Sequence, residues 1–241
     1  MTVVSLFSFR PRRTDIPRLK PRRPPVTAAD RVDLADLTPE LLPYLGQAAY
    51  VQLAIFETLC HAVALAPTAA AKVAVSQVAA LSLAKHHGLI AEIRRIGHEP
   101  GPVMQPFTGR IDDYAGVTLG ADWHEMLVTA YLTSGLLGDF QVRLAGGLSG
   151  DARTRILSLL AGDNGHELLV AELRSAIDAN PRLASRLAMW GRRLVGDTLL
   201  IARSSLANIA TSRHDEARLE PVFTELIASH TRRMDSLGLT A

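Results

Sequence analysis

Five side chains of this 241-residue chain are of types that bind metal ions: Glu57, His87, Asp139, Asp163 and His166. Asp163 and His166 stand three apart, so on a continuous helix both project from one face. That spacing lets one helix offer a carboxylate and an imidazole to the same metal. Glu57 lies in Ile55-Phe-Glu-Thr-Leu59 and Asp139 in Leu136-Leu-Gly-Asp-Phe140, among apolar neighbours. A carboxylate buried in such surroundings is costly unless it is paired or metal-bound. Each residue also has a plainer reading: a partly exposed glutamate, a solvated or structurally bonded histidine, an Asp–His spacing of chance origin. His86 and His87 point about 100° apart, so only one of them faces the core. Glu125 precedes Asp139 by roughly 21 Å along the helix axis, so only one of the two reaches a common metal.

Together the five follow the order carboxylate, histidine, carboxylate, carboxylate-x-x-histidine, one set on each of four helices. Oxygen and imidazole ligands with open positions suit iron or manganese in oxygen chemistry better than a closed structural zinc site. Cys60 is the single cysteine. It excludes an internal disulfide scaffold and a cysteine-based zinc site, and it fits a reducing compartment.

The elements that must position these residues are helical throughout. Aromatics make up only 5% of the chain and no strand-like alternation occurs, which favours helices over a sandwich or barrel. A first helix starts with Thr38 as N-cap and Pro39 in its first turn, and runs to about Ala66. A second spans about 68–96 and stops at Gly97. Residues 97–120, with Pro100, Pro102 and Pro106, read as a long loop. A third helix covers about 121–146, a fourth about 151–179, a fifth about 182–211 and a sixth about 215–237. Four long helices with one long connection between the second and third make a four-helix bundle with a crossover, the topology of ferritin-like bundles; two additional C-terminal helices pack outside it.

This all-α domain is expected over residues 34–241. Residues 1–33 read as a separate tail. Seven basic side chains and Asp15 give Met1–Pro25 a charge of +6, so the rest must sum to −4 to reach the net +2. With its prolines the tail is expected to be extended. It reads either as a phosphate-contacting arm or as a plain disordered tail. Its charges follow rather than precede the apolar stretch, unlike a secretory signal. No run of about 18 uninterrupted apolar residues occurs, so no membrane span is expected. These features point to a cytoplasmic protein.

Three stretches carry a resemblance to a known family: Tyr50–Glu57, Trp190–Ser205 and His230–Leu239. Over about Leu41–Leu239 the sequence resembles the ferritin-like proteins of high-GC Gram-positive bacteria grouped with the tRNA hydroxylase acting on 2-methylthio-isopentenyladenosine. The resemblance implies a non-haem di-iron site that uses dioxygen to hydroxylate an unactivated carbon. It further implies iron held by Glu57, His87, Asp139, Asp163 and His166, a tRNA substrate and a separate electron-donor reductase. The chain departs from that pattern. Ala84 stands where a glutamate would precede His87, and Asp139 and Asp163 replace longer glutamates. Two functions are therefore weighed: an O2-dependent hydroxylase with two, one or no metals, and a metal-depleted ferritin-like scaffold acting through protein association, with an oligomer open in either case. Arg193 and Asp197 are additionally expected to pair at i, i+4.

Overall fold

The computed structural model describes residues 37–204 and 213–240, with residues 213–219 described by their backbone alone. All belong to the unit Val32–Ala241. The expected tail, 1–33, and the expected end of the fifth helix, 205–211, lie outside the described residues.

The described residues form eight helices and no strand. α1 (Leu41–Leu65) and α2 (Ala69–Arg95) form an antiparallel pair. Thr68 caps α2 by accepting the Ala71 amide at 3.1 Å. At the other end Gly97 adopts φ +84°, and the His98 amide reaches back to the Ile93 carbonyl at 3.2 Å. A left-handed glycine and a six-residue return bond close a helix in the Schellman manner. α1 does not use Thr38 as its cap. That hydroxyl donates instead to the Leu144 carbonyl near the end of α4, and Glu40 holds the N-cap position of α1 without a side-chain bond.

The expected loop 97–120 is instead a helix, α3 (Pro100–Thr118). Pro100 and Pro102 fall in its first turn, where a missing amide costs nothing. Pro106 and three interior glycines argue against a helix on propensity alone. Packing overrides them: Ile111 and Tyr114 are buried, and the Tyr114 hydroxyl meets Thr133 and Thr198 at 2.6 and 2.8 Å. α3 also comes so close to α1 that a Cβ on Gly46 would strike the Val103 carbonyl.

α4 (Trp123–Ala145) is the axis of the fold, buried along most of its length and touched by α1, α5, α6, α7 and α8. Asp122 caps it through the amides of His124 and Glu125, both at 3.0 Å. The expected fourth helix is two helices, α5 (Gly150–Leu160) and α6 (His166–Ala179), parted at Gly165 with φ +63°. A side chain at that φ is strained, and a Cβ there would also press on Val78. α1, α2, the broken pair α5–α6, and α4 make the four sides of the bundle. α7 (Arg182–Ser204) and α8 (Arg213–Ser236) pack against α4 from outside.

α1, with mean hydropathy 1.5, is long and apolar enough by length and composition to cross a membrane. Its apolarity serves the bundle: Leu45, Ala49, Leu59 and Ala62 are fully buried there.

Candidate functional site

Glu57 and His87 lie on the outside of the α1–α2 pair, both exposed. Glu57 offers its backbone carbonyl to His61 Nδ1 at 3.1 Å, while its carboxylate faces water. Of the two adjacent histidines, His86 faces the core. It is 7% exposed and its Nδ1 bonds to the Ala49 carbonyl at 2.8 Å. Ala84 is exposed on the same side as His87. Its missing carboxylate is therefore no loss to the bundle interior.

Asp163 is not on a helix. It sits exposed in the α5–α6 turn, where Oδ1 accepts the Gly165 amide at 2.8 Å. That bond is the aspartate's own turn chemistry. The helical i, i+3 face expected for Asp163 and His166 is broken between them.

His166, at the first position of α6, turns inward against α4. Its Nε2 lies 2.9 Å from Ser134 Oγ, and its ring meets Tyr131 edge-on at 5.2 Å. Burial, then the positive charges of Arg233 and Lys85, push the imidazole down to about 4, against the pull of Asp139 and Asp163. The ring is thus neutral at physiological pH.

Asp139, half-exposed on α4, accepts Arg233 Nη2 at 2.9 Å. Arg233 enters from α8 over Gly135, where any Cβ would collide with its Nε and Cδ. α8 is held there by Ser236, whose Oγ meets the Tyr131 hydroxyl at 2.8 Å and whose carbonyl accepts Arg174 Nε at 2.7 Å. One turn before Arg233, His230 is 3% exposed. His230 Nε2 and Arg233 Nη1 are buried without a hydrogen-bond partner among the described residues. Burial and the Arg233 charge depress His230, and a bond to the Gly191 backbone opposes them.

Beside the α5–α6 break stands Lys85, buried on α2. Its ammonium donates to the carbonyls of Leu160 at 3.3 Å and Gly162 at 3.0 Å, and to Asn164 Oδ1. Burial pushes it below the ordinary lysine value, and Asp163 acts in the opposite direction.

The fold thus brings Asp139 and Asp163 each within electrostatic reach of His166 and leaves Glu57 and His87 outside. Among the described residues, no three His, Cys, Asp or Glu side chains come together closely enough to hold a metal ion. Where α1 faces α4, the buried polar pair is Gln52 and Gln141, amide to amide at 3.4 Å. Glu125 is the one buried carboxylate among the described residues. It accepts the Ala121 amide at 2.8 Å and faces Arg186 at 3.5 Å, at the start of α4. A di-iron centre in a bundle draws on a glutamate from each helix. This donor set does not fit one.

Against this geometry, a family model for the ferritin-like domain of actinomycetes matches residues 38–212. The chain belongs to that family. No curated protein matches it. The residues that sequence reasoning missed are Lys85 and Ser134, and, beyond the matched residues, His230 and Arg233. His230 and Arg233 do carry a signal, an i, i+3 pair inside one of the stretches that suggested the family. Lys85 carries a weaker one, a single cation in an alanine-rich run. The expected Arg193–Asp197 pair is not formed among the described residues. Arg193 lies over the Trp190 ring instead, 5.2 Å from its centre.

Proposed function

We propose that this ferritin-like domain works without a metal centre, as a helical scaffold that acts by association with another protein. The observation that carries this reading is the scarcity of buried carboxylates. Divalent and trivalent iron need anionic oxygen ligands to offset their charge. Here the single buried carboxylate among the described residues, Glu125, is taken up at the start of α4 by the Ala121 amide and Arg186, and the inward amides of Gln52 and Gln141 carry no charge. Arg233 supplies a fixed cation to Asp139, so that carboxylate is already neutralised. Kinship to the tRNA hydroxylase would then be one of fold, with its substrate and chemistry not carried over.

The surface for association is the outer side of α2. From Val73 to Ala91 its exposed residues are Val73, Ser76, Gln77, Ala80, Ala84, His87 and Ala91, with no Asp, Glu, Lys or Arg among them. Loss of charge is the compositional mark of the centre of a protein interface. Small side chains also let a partner helix approach closely.

The test is elemental analysis of full-length protein from iron-supplemented cells, paired with sedimentation of wild type and Ala84→Arg. Substoichiometric iron, and association that Ala84→Arg abolishes, is the expected result. Tightly held iron at one or more atoms per chain would overturn the metal-free reading, and a monomeric wild type that captures no partner would overturn the α2 surface.

A further inference from the structure

α7 is the most one-sidedly charged helix of the described residues, with five arginines against Asp197 alone. Arg186 is used internally, paired with Asp122 and Glu125 at the start of α4. Arg182, Arg192 and Arg193 are exposed. Arg192 donates to the Thr240 carbonyl at 2.6 Å and Arg193 covers Trp190, and neither contact neutralises its charge.

On the same outward side lie Met189 and Leu200, 62% and 65% exposed. They are the two most exposed large hydrophobic side chains among the described residues, above Val73 at 57%. At 100° per residue Arg182, Met189, Arg192, Arg193, Gly196 and Leu200 fall within an arc of about 100°. Met189, Gly196 and Leu200 run down its middle. Arg192 borders it on one side and Arg193 on the other, and Arg182 stands at one end. The stripe is roughly 27 Å long at 1.5 Å per residue. The opposite side of α7, through Leu183, Leu187, Leu194 and Thr198, is buried on the domain.

We propose that this face of α7 docks the domain on an anionic lipid surface. Apolar side chains in the middle of a stripe enter the boundary between headgroups and acyl chains, while flanking guanidinium groups stay at the phosphate level. Arginine alone would suit any polyanion, nucleic acid included. Protruding aliphatic side chains favour lipid, because phosphates give them nothing to enter. The half-buried Trp190, the aromatic next to this face, has its indole N–H bonded to Thr129 at 2.9 Å and its ring covered by Arg193. It is not free to stack on a base. The surface is the outward side of α7, turned away from the Gly191 side that meets His230 and Met234, and it does not depend on metal content.

The experiment is flotation of the full chain with vesicles of phosphatidylglycerol and phosphatidylcholine, against vesicles of phosphatidylcholine alone. Binding is expected to the first kind only. Two doubly substituted variants at exposed positions separate the contributions. Arg192→Gln with Arg193→Gln should weaken binding about 25-fold, at roughly fivefold per basic residue near the surface. Met189→Ser with Leu200→Ser should weaken it about tenfold with the charge intact. Leu200→Trp should also show a blue shift in emission on adding anionic vesicles. Equal binding to both vesicle types would overturn the proposal, as would wild-type affinity in both variants. So would tight binding to a short duplex RNA or DNA that the arginine variant loses and the Met189/Leu200 variant keeps, which would assign the face to nucleic acid.

Discussion

The two sides of α2 hold the same kinds of residue in opposite states. On the inner side Lys85 and His86 are buried and each hydrogen bond is made to a backbone carbonyl or an amide oxygen. On the outer side Ala84 and His87 meet water. A single residue of rotation separates a structural imidazole from a solvated one. Residue type alone therefore carries little about a site until the helix face is fixed. The same contrast separates α1, where Glu57 faces out, from the α4–α8 contact, where Asp139 faces Arg233.

The inner side should be sensitive and the outer side indifferent. Arg233→Met strands Asp139 and leaves space over Gly135. Removing one partner of a partly buried ion pair is expected to cost about 3 kcal/mol, read by urea denaturation. A loss under about 0.5 kcal/mol would place Arg233 with the outer, solvated residues.

Acid is the second lever. His166 titrates near pH 4 in the fold and at about 6.5 when unfolded. The unfolded chain therefore binds the proton first, and stability falls as pH drops from about 6.5 to about 4. With its partial exposure, the loss attributable to His166 is on the order of 2 kcal/mol. His230 is depressed in the same direction and adds to the slope. Comparison with His166→Gln, whose profile should be flatter over that window, isolates the contribution. A wild-type profile equally flat would remove the buried, neutral state assigned to this ring.

Lys85→Met comes next, at about 1.5 kcal/mol, because acceptors in the α5–α6 turn lose their donor. The smallest effects belong to the outer side. His87→Ala and Glu57→Ala should each stay within about 0.5 kcal/mol. Ala84→Glu should likewise bind no iron, since its carboxylate would enter solvent. A gain of tightly bound iron by that variant would break the comparison outright.

Helices α2 and α4 were legible in the sequence because their punctuation is chemical: Thr68 and Gly97 bound α2, and Asp122 opens α4; α1 was legible from its long apolar run rather than from Thr38, which bonds to α4 instead. α3 was not, because Pro106 and its glycines oppose a helix locally and only its packing on α1 and α7 and the Tyr114 bond to Thr133 of α4 outweigh them. The break at Gly165 was hidden for the converse reason. Gly162-Asp-Asn-Gly165 does carry a turn signal, Asn164-Gly165, but the i, i+3 spacing of Asp163 and His166 suggests one continuous helix and masks it. For the candidate site, the residue types were visible and their orientation was not. The choice of His87 over His86 turned on helix phase. Arg233, the partner of Asp139, lies 94 residues away, so its i, i+3 spacing with His230 says nothing of the carboxylate it meets.

The Lys85 ammonium has a consequence for how the domain breathes. Its acceptors belong to the last carbonyls of α5 and to the turn that starts the next helix. Moving α5 away from α2 would leave an ammonium inside the bundle with nothing to bond, so fraying residue by residue from Leu160 is blocked. The end of α5 and the turn should open together, in one cooperative step that also lets water reach Lys85. In native-state hydrogen exchange, the amides near Ala161 and Gly165 should then share one opening free energy, and that energy should fall in Lys85→Met while the amides of α4 keep theirs.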